Sequence, residues 1–136
     1  MNPKVHIFIL TWNGQDYLSK CIDSVRKIDY SNYKIIVIDN NSSDDTCNKI
    51  SSCYPEVTLT RNSANLGFGL ANNIGMQKCL DENYDYAFLL NQDARVEPET
   101  IDTLVELMEQ QQGYGIVSPI QRSFSNEVLD YYFNLY

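Results

Sequence analysis

Residues 34–45 read KIIVIDNNSSDD. Four consecutive β-branched residues, Ile35 to Ile38, stop abruptly at Asp39 and a polar run. A short, unbroken apolar run is the pattern of a strand covered on both faces, as in a parallel sheet. The same grammar occurs upstream, where VHIFIL (5–10) runs into TWN, and downstream, where YAFLL (86–90) runs into NQD. Val57 to Thr60 reads as a shorter strand, and Gly115 to Ser118 as a brief fifth one before Pro119.

Between these runs the apolar spacing becomes helical. Tyr17, Leu18, Cys21, Ile22, Val25 and Ile28 share one face of a first helix, with Ser19, Lys20, Asp23 and Arg26 opposite. Ser42 or Ser43 is predicted to cap a short helix containing Thr46, Cys47 and Ile50. The turn-rich NSANLGFG leads into a helix through Ala71, Ile74 and Cys79 towards Leu80. Pro98 is predicted in the first turn of a last helix whose stripe is Ile101, Leu104, Val105 and Met108, ending near Gly113. Alternating strands and helices imply an α/β fold, a mainly parallel sheet with helices on both faces. Ligands of such sheets bind outside the carboxyl ends of the strands, where TWN, DNNSSDD and NQD all fall.

Composition limits the functions. The 136 residues are 43% hydrophobic and 21% charged, the profile of one globular domain. Ten Lys and Arg against eighteen Asp and Glu give a net charge of −8, which argues against binding nucleic-acid phosphates. Any phosphorylated ligand therefore needs a local cation or dipole. Cys21, Cys47, Cys53 and Cys79 form no C-x-x-C pair, so no zinc site is expected, and the plain reading is reduced thiols. Apolar runs are far below the roughly 20 residues of a membrane span, and Met1 leads almost directly into a strand-like run rather than a signal core. Cytoplasmic localisation is the expectation.

Several residues fit site chemistry. Asp39 ends a strand, where it can open an Asx turn or accept an N–H from a ligand such as a uracil or thymine imide. Asp93, in NQD, is a lone acid. One carboxylate cannot cage Mg²⁺ or Mn²⁺, but it suffices when phosphate oxygens supply the other ligands. Beside a diphosphate it needs that cation, because two like charges about 4 Å apart repel by roughly 4 kcal/mol at an effective dielectric near 20. Gly67 to Gly75 lacks the position and spacing of a dinucleotide fingerprint. Its glycines permit close backbone approach, Asn72 or Asn73 offers side-chain hydrogen bonds, and Gly75 suits helix-to-sheet packing. His6 reads as a satisfied core histidine, and Trp12 as a packing residue at the site rim. No nucleophile–histidine arrangement, P-loop or phospho-receiver acid pair is present.

Four segments, FILTWNGQDYLSKCIDSV (8–25), YKIIVIDNNSSDDT (33–46), NLGFGLANNIGM (65–76) and LLNQDARVEPETI (89–101), together resemble the family 2 glycosyltransferases, and within them the rhamnosyltransferase-like branch. The resemblance implies a GT-A fold, a nucleotide-sugar donor (UDP-sugar or dTDP-sugar), a divalent cation (Mg or Mn) and inversion at the anomeric carbon. By position it implies that Thr11 and Asn13 line the nucleotide pocket and Asp39 holds the base. It places Asp44 as the acid of the loop after strand two, and Gly67 and Asn73 in the segment closing over the nucleotide. Asp93 becomes the metal ligand, with Asn91 where many members carry the first acid of a D-x-D motif; others of this branch also read N-x-D. It implies a glycan or lipid-linked acceptor, a role in cell wall or polysaccharide biosynthesis, and a place in the cytoplasm or at the inner membrane face. Residues 1–118 are then the nucleotide-sugar-binding domain and 119–136 the start of an acceptor-side region or a truncated tail. No catalytic base is assigned, since Glu127 and Asp130 sit in no recognisable motif. The alternative is a non-catalytic interaction domain using the aromatic tail (Tyr131, Tyr132, Phe133, Tyr136) for a partner or a homo-oligomer.

Overall fold

In a computed structural model of the chain, residues 2–111 and 113–122 are described. Eight elements follow one another: β1 (Val5–Thr11), α1 (Leu18–Val25), β2 (Tyr33–Asp39), α2 (Thr46–Cys53), β3 (Thr58–Arg61), α3 (Gly67–Asp81), β4 (Tyr86–Asn91) and α4 (Thr100–Gln110). The strands form one sheet in the order β3-β2-β1-β4, and every pair is parallel. The expected α/β architecture is what forms.

The unbroken apolar runs explain why β1 and β2 are central. Both faces of each are covered, so alternate residues enter different cores. Ile7, Ile9, Ile35 and Val37 pack with Leu18, Cys21, Ile22 and Val25 of α1, Ile50 of α2, and Ile101 and Val105 of α4. Phe8, Ile36 and Ile38 face the other way, onto Ala71 and Cys79 of α3. Full burial of each such side chain contributes about 1.5–3 kcal/mol. A Cβ at Gly75 would stand 2.9 Å from both Ile38 Cδ1 and Phe8 Cδ1, so the absence of a side chain seats α3 on the sheet. That use of Gly75 was expected.

The sequence misplaced three features. Gly115 to Ser118 form no strand, and Ile116 is 92% exposed: four residues with one β-branched pair find no neighbour to pair with among the described residues. Neither Ser42 nor Ser43 caps α2, which starts after Asp45; both serines bond instead to the loop after β1. Pro98 precedes α4 rather than entering its first turn, and its carbonyl accepts the Asp29 N–H at 3.0 Å. The helix ends at Gln110, before Gly113.

From β1 the chain steps through β2 to β3 on one side, then returns to lay β4 on the other flank of β1. The strand order thus reverses at β1/β4. In open α/β sheets the crevice at the carboxyl ends of such a switch point is where ligands bind.

Candidate functional site

Three loops leave the carboxyl ends of β1, β2 and β4 and are joined by hydrogen bonds between residues far apart in sequence. The β1–α1 loop and the segment from Ser42 to Thr46 share six, one of them from the Ser43 hydroxyl to Asn13 Oδ1 (3.4 Å). Asn13 N–H donates to Ser42 Oγ (2.8 Å), Gly14 N–H to Thr46 Oγ1 (2.9 Å) and Gln15 N–H to Asp44 Oδ2 (3.2 Å). In return, Ser43 N–H donates to Asn13 Oδ1 (2.9 Å) and Asp45 N–H to Gln15 Oε1 (3.2 Å). Asn13 sits in the left-handed region (φ 48°), which an asparagine tolerates better than most residues.

Asp44 therefore works inside the protein. Its Oδ1 accepts the Thr46 hydroxyl (2.5 Å) and the Thr46 N–H (3.1 Å), while Oδ2 holds Gln15. Desolvation pushes its pKa up, but these bonds outweigh that and hold it below the ordinary carboxylate value. The resemblance put Asp44 at the site; the structure gives it the task of shaping the loops around one.

Asp39 is fully buried at the end of β2. Ser42 N–H donates to its two oxygens at 3.0 and 3.3 Å, which is the Asx-turn reading. Arg61, its partner in the β2/β3 register, places Nε 3.4 Å from Oδ2 and donates more tightly from Nη2 to the Ser42 carbonyl at 2.7 Å. Burial first, and then the nearby Asp39 carboxylate, push the Cys47 thiol up to about 11. A base reaching this carboxylate must therefore exchange with a donor already there.

An asparagine network that sequence reading did not single out joins β2 to the start of α3. Asn40 Oδ1 accepts Leu66 N–H (2.9 Å) and Asn62 Nδ2 (3.1 Å), and Asn40 Nδ2 donates to Asn65 Oδ1 (2.7 Å). Asn65 Oδ1 also accepts the N–H of Gly67, whose φ of +73° explains why glycine stands there. On α3 the two candidate asparagines separate. Asn72 is buried and donates to the Phe68 carbonyl at 3.0 Å, while Asn73 is exposed.

At β4 the chain forms a turn closed by Ala94 N–H to the Asn91 carbonyl (3.0 Å). Asn91 and Asp93 are exposed and Gln92 half-buried. Gln92 turns towards β1: Oε1 accepts the Thr11 hydroxyl (2.6 Å) and Trp12 N–H (3.0 Å), and Nε2 donates to the Trp12 carbonyl (3.3 Å). Thr11, expected to line the pocket, is buried with its hydroxyl spent on this brace. Trp12 does not pack as expected, because its indole is 53% exposed. Among the described residues the Asp93 carboxylate makes no hydrogen bond or ion pair, and its charge, after burial, helps push the Cys21 thiol up to about 12. No cluster of three or more His, Cys, Asp or Glu occurs among these residues. The donor set therefore fits a hard cation only when oxygens of a bound ligand complete the shell.

His6 departs from the satisfied core histidine expected. It is fully buried, stacked on Tyr84 at 3.4 Å, and neither ring nitrogen makes a hydrogen bond; Glu82 lies 3.5 Å from Nε2. A cavity of about 800 Å³ opens at the far, amino-terminal end of the strands between Lys4, Asn32, Asp85, Tyr86 and Glu109. Its polar groups bond one another, as Lys4 N–H does Asp85 and Tyr86 does Glu109. The switch point, not this cavity, carries the free acid. Glu127, Asp130 and the aromatic tail lie outside the described residues.

Comparison with known proteins agrees with this geometry. The mannosyltransferase PcManGT of Pyrobaculum calidifontis, solved with GDP-Man and Mn²⁺, superposes with a TM-score of 0.75 over 90% of this chain and 36% of its own, at 19% identity. TarS 1–349 of S. aureus with UDP-GlcNAc gives 0.69 over 88% and 38%, at 16% identity. These likenesses bear out the GT-A fold. In sequence, the GalNAc(5)-diNAcBac-PP-undecaprenol β-1,3-glucosyltransferase of Campylobacter jejuni is 27% identical over 116 residues, 85% of this chain and 37% of that enzyme. The chain spans 15% to 37% of the length of the curated relatives it matches. Residues 6–135 match the pattern described as Glycosyl transferase family 2, and the chain belongs to that family.

Proposed function

We propose that this chain is the donor-binding part of an inverting, metal-dependent glycosyltransferase that takes a UDP-sugar or dTDP-sugar and serves a glycan or lipid-linked acceptor. The observation that carries the reading is Asp93: an exposed acid that makes no hydrogen bond or ion pair among the described residues, at the β1/β4 switch point, beside a Gln92 whose amide is bonded at both ends. The bound Mn²⁺ and nucleotide sugars named for PcManGT and TarS support the donor class.

In this reading Asp93 would hold Mg²⁺ or Mn²⁺ together with the donor's diphosphate oxygens, and Asn91, two positions earlier, would contact the donor. When bound, the cation neutralises charge developing on the departing diphosphate. The chain's own residues do the rest of the binding. Asp39 accepts the imide N–H of the base, in exchange for part of its Asx turn. Gly67 and Asn73 border the nucleotide, and Thr11, Asn13 and Asp44 fix the loops that frame it. In an inverting transfer the acceptor oxygen bonds to the anomeric carbon as the bond to diphosphate breaks, and the hydroxyl proton passes to a base. We assign no base to this chain. Residues 1–118 form the nucleotide-sugar-binding domain in this proposal, and 119–136 belong to the acceptor side.

The rhamnosyltransferase-like branch rests on the four segments taken together, and N-x-D in place of D-x-D is compatible with it. A role in cell wall or polysaccharide biosynthesis is supported by the undecaprenol-linked substrate named for the Campylobacter jejuni relative. No helix among the described residues is long and apolar enough to cross a membrane, and we place the protein in the cytoplasm or at the inner face of the membrane. Titration calorimetry with UDP and dTDP, with Mn²⁺ and with EDTA, tests the proposal. Binding that strengthens with Mn²⁺ is expected; no binding of either nucleotide at millimolar concentration would overturn it.

A further inference from the structure

Gln92 lies between the strand-end Asn91 and the free acid Asp93, and neither composition nor motif gives it a task. The geometry points to one: we infer that Gln92 is the positioning residue of Asp93, clamping the β4 turn to the β1 loop so that the acid is held outward and ready for a cation. This inference rests on the reading of Asp93 as the metal-binding acid.

Three bonds make the clamp. Gln92 Oε1 accepts from the Thr11 hydroxyl at 2.6 Å and from Trp12 N–H at 3.0 Å, and Nε2 donates to the Trp12 carbonyl at 3.3 Å. Both ends of the amide are used, and the Trp12 backbone determines its orientation: a rotation by half a turn would set donor against donor at the Trp12 N–H and acceptor against acceptor at its carbonyl. The partners are some eighty residues away in sequence but adjacent in the sheet, since Leu10 pairs with Asn91. Gly14 makes room for the clamp. A Cβ there would stand 2.3 Å from Gln92 Oε1 and 2.4 Å from Thr11 Oγ1, so any side chain at position 14 pushes the two apart.

The clamp also fixes what Asp93 does. Adjacent side chains in a short turn point in different directions, and with Gln92 drawn down onto β1 the turn is closed by Ala94 N–H on the Asn91 carbonyl. Asp93 is left exposed and, among the described residues, unbonded. A single carboxylate that must share its cation with a ligand has no companion acid to correct a misplaced approach, so the support beneath it decides the affinity. The same clamp holds both backbone groups of Trp12, which couples the β1 loop to the acid's position.

The test measures UDP affinity by calorimetry with Mn²⁺ and with EDTA, on the whole chain. In Gln92→Ala the Mn²⁺-dependent gain in affinity is expected to fall by about 10- to 100-fold, while the affinity in EDTA stays within about twofold. Thr11→Val, which deletes one of the three bonds, should lower the Mn²⁺-dependent gain by less than Gln92→Ala does. A merely structural role would lower both affinities together. A wild-type gain in Gln92→Ala, or equal losses with and without Mn²⁺, would overturn the inference. Should Gln92→Ala not fold, Gln92→Met, which keeps the side-chain volume and deletes the same three bonds, carries the same test. Absence of any Mn²⁺ effect in the wild type would overturn the reading of Asp93 itself and this inference with it, whereas a wild-type effect unchanged in Gln92→Ala would overturn the clamp alone.

Discussion

Gly75→Ala and Gly69→Ala are the same substitution on the same helix, and the structure gives them opposite signs. A methyl at position 75 would meet Ile38 Cδ1 and Phe8 Cδ1 at 2.9 Å and Phe8 Cγ at 3.1 Å. Carbon atoms pack best at about 3.5–4.0 Å, and Phe8 and Ile38 are both fully buried, so neither can move out into solvent. Overpacking of this kind costs about 1–3 kcal/mol, against about 1 kcal/mol returned by alanine's helix propensity. The net expectation is a loss of about 1 kcal/mol, or several degrees in Tm for a chain of this size. At Gly69 a Cβ meets nothing within 4 Å and the backbone is not left-handed, so the alanine gains about 0.5 kcal/mol. Thermal unfolding by circular dichroism compares the two variants with the wild type. If both shift Tm alike, α3 is not seated on β1 and β2 as described. The register that brings Gly67 to the end of β2 would then be wrong too.

Two further outcomes follow from buried or bonded ionisable groups. Burial holds the His6 pKa below its ordinary 6.5, against the opposing pull of Glu82. The folded state thus binds fewer protons than the unfolded one, and stability is full above pH 6.5 and falls as pH drops from there towards the folded value. In urea unfolding between pH 7.5 and 5.5, His6→Phe should flatten that slope; an unchanged slope would remove His6 as its source. Asp44 is held low, so its contribution is present above its ordinary value of 3.8 and lost only as pH falls through the folded value. At neutral pH Asp44→Ala should cost about 1–2 kcal/mol by stranding the donors of Gln15 and Thr46. A cost near zero would mean that water replaces the carboxylate.

The central strands β1 and β2 were legible because burial on both faces leaves a signature within a few residues: Ile35 to Ile38 cannot sit at a surface, whereas β3 and β4 are edge strands, only partly buried, with Leu89 42% exposed. The location of the site was legible for the same reason, since polar residues that end such runs must gather at one edge of the sheet. Roles within that edge were not. Ser42 looks like a helix cap, yet it accepts from Asn13 across 29 positions. Thr11 looks available, yet Gln92 takes its hydroxyl across 81. Local pattern contains neither partner. Asn40 and its network with Asn62, Asn65 and Leu66 went unnoticed because asparagine before a turn has many local uses. Gly115 to Ser118 failed for the converse reason: β propensity describes fit to a pleated, half-buried surface, and Ile116 has no such surface among the described residues. The raised thiols of Cys47 and Cys21 were not legible either, because burial and the acids Asp39 and Asp93 that push them up come from other elements.

The most direct measurement is UDP affinity with and without Mn²⁺ in wild type and in Asp93→Ala, alongside the Tm of each. Asp93 is exposed and unbonded, so the variant should melt with the wild type while its Mn²⁺-dependent gain disappears and its affinity in EDTA does not fall. A gain that survives the substitution, or a large drop in Tm, would contradict the claim that this acid is the cation's foothold.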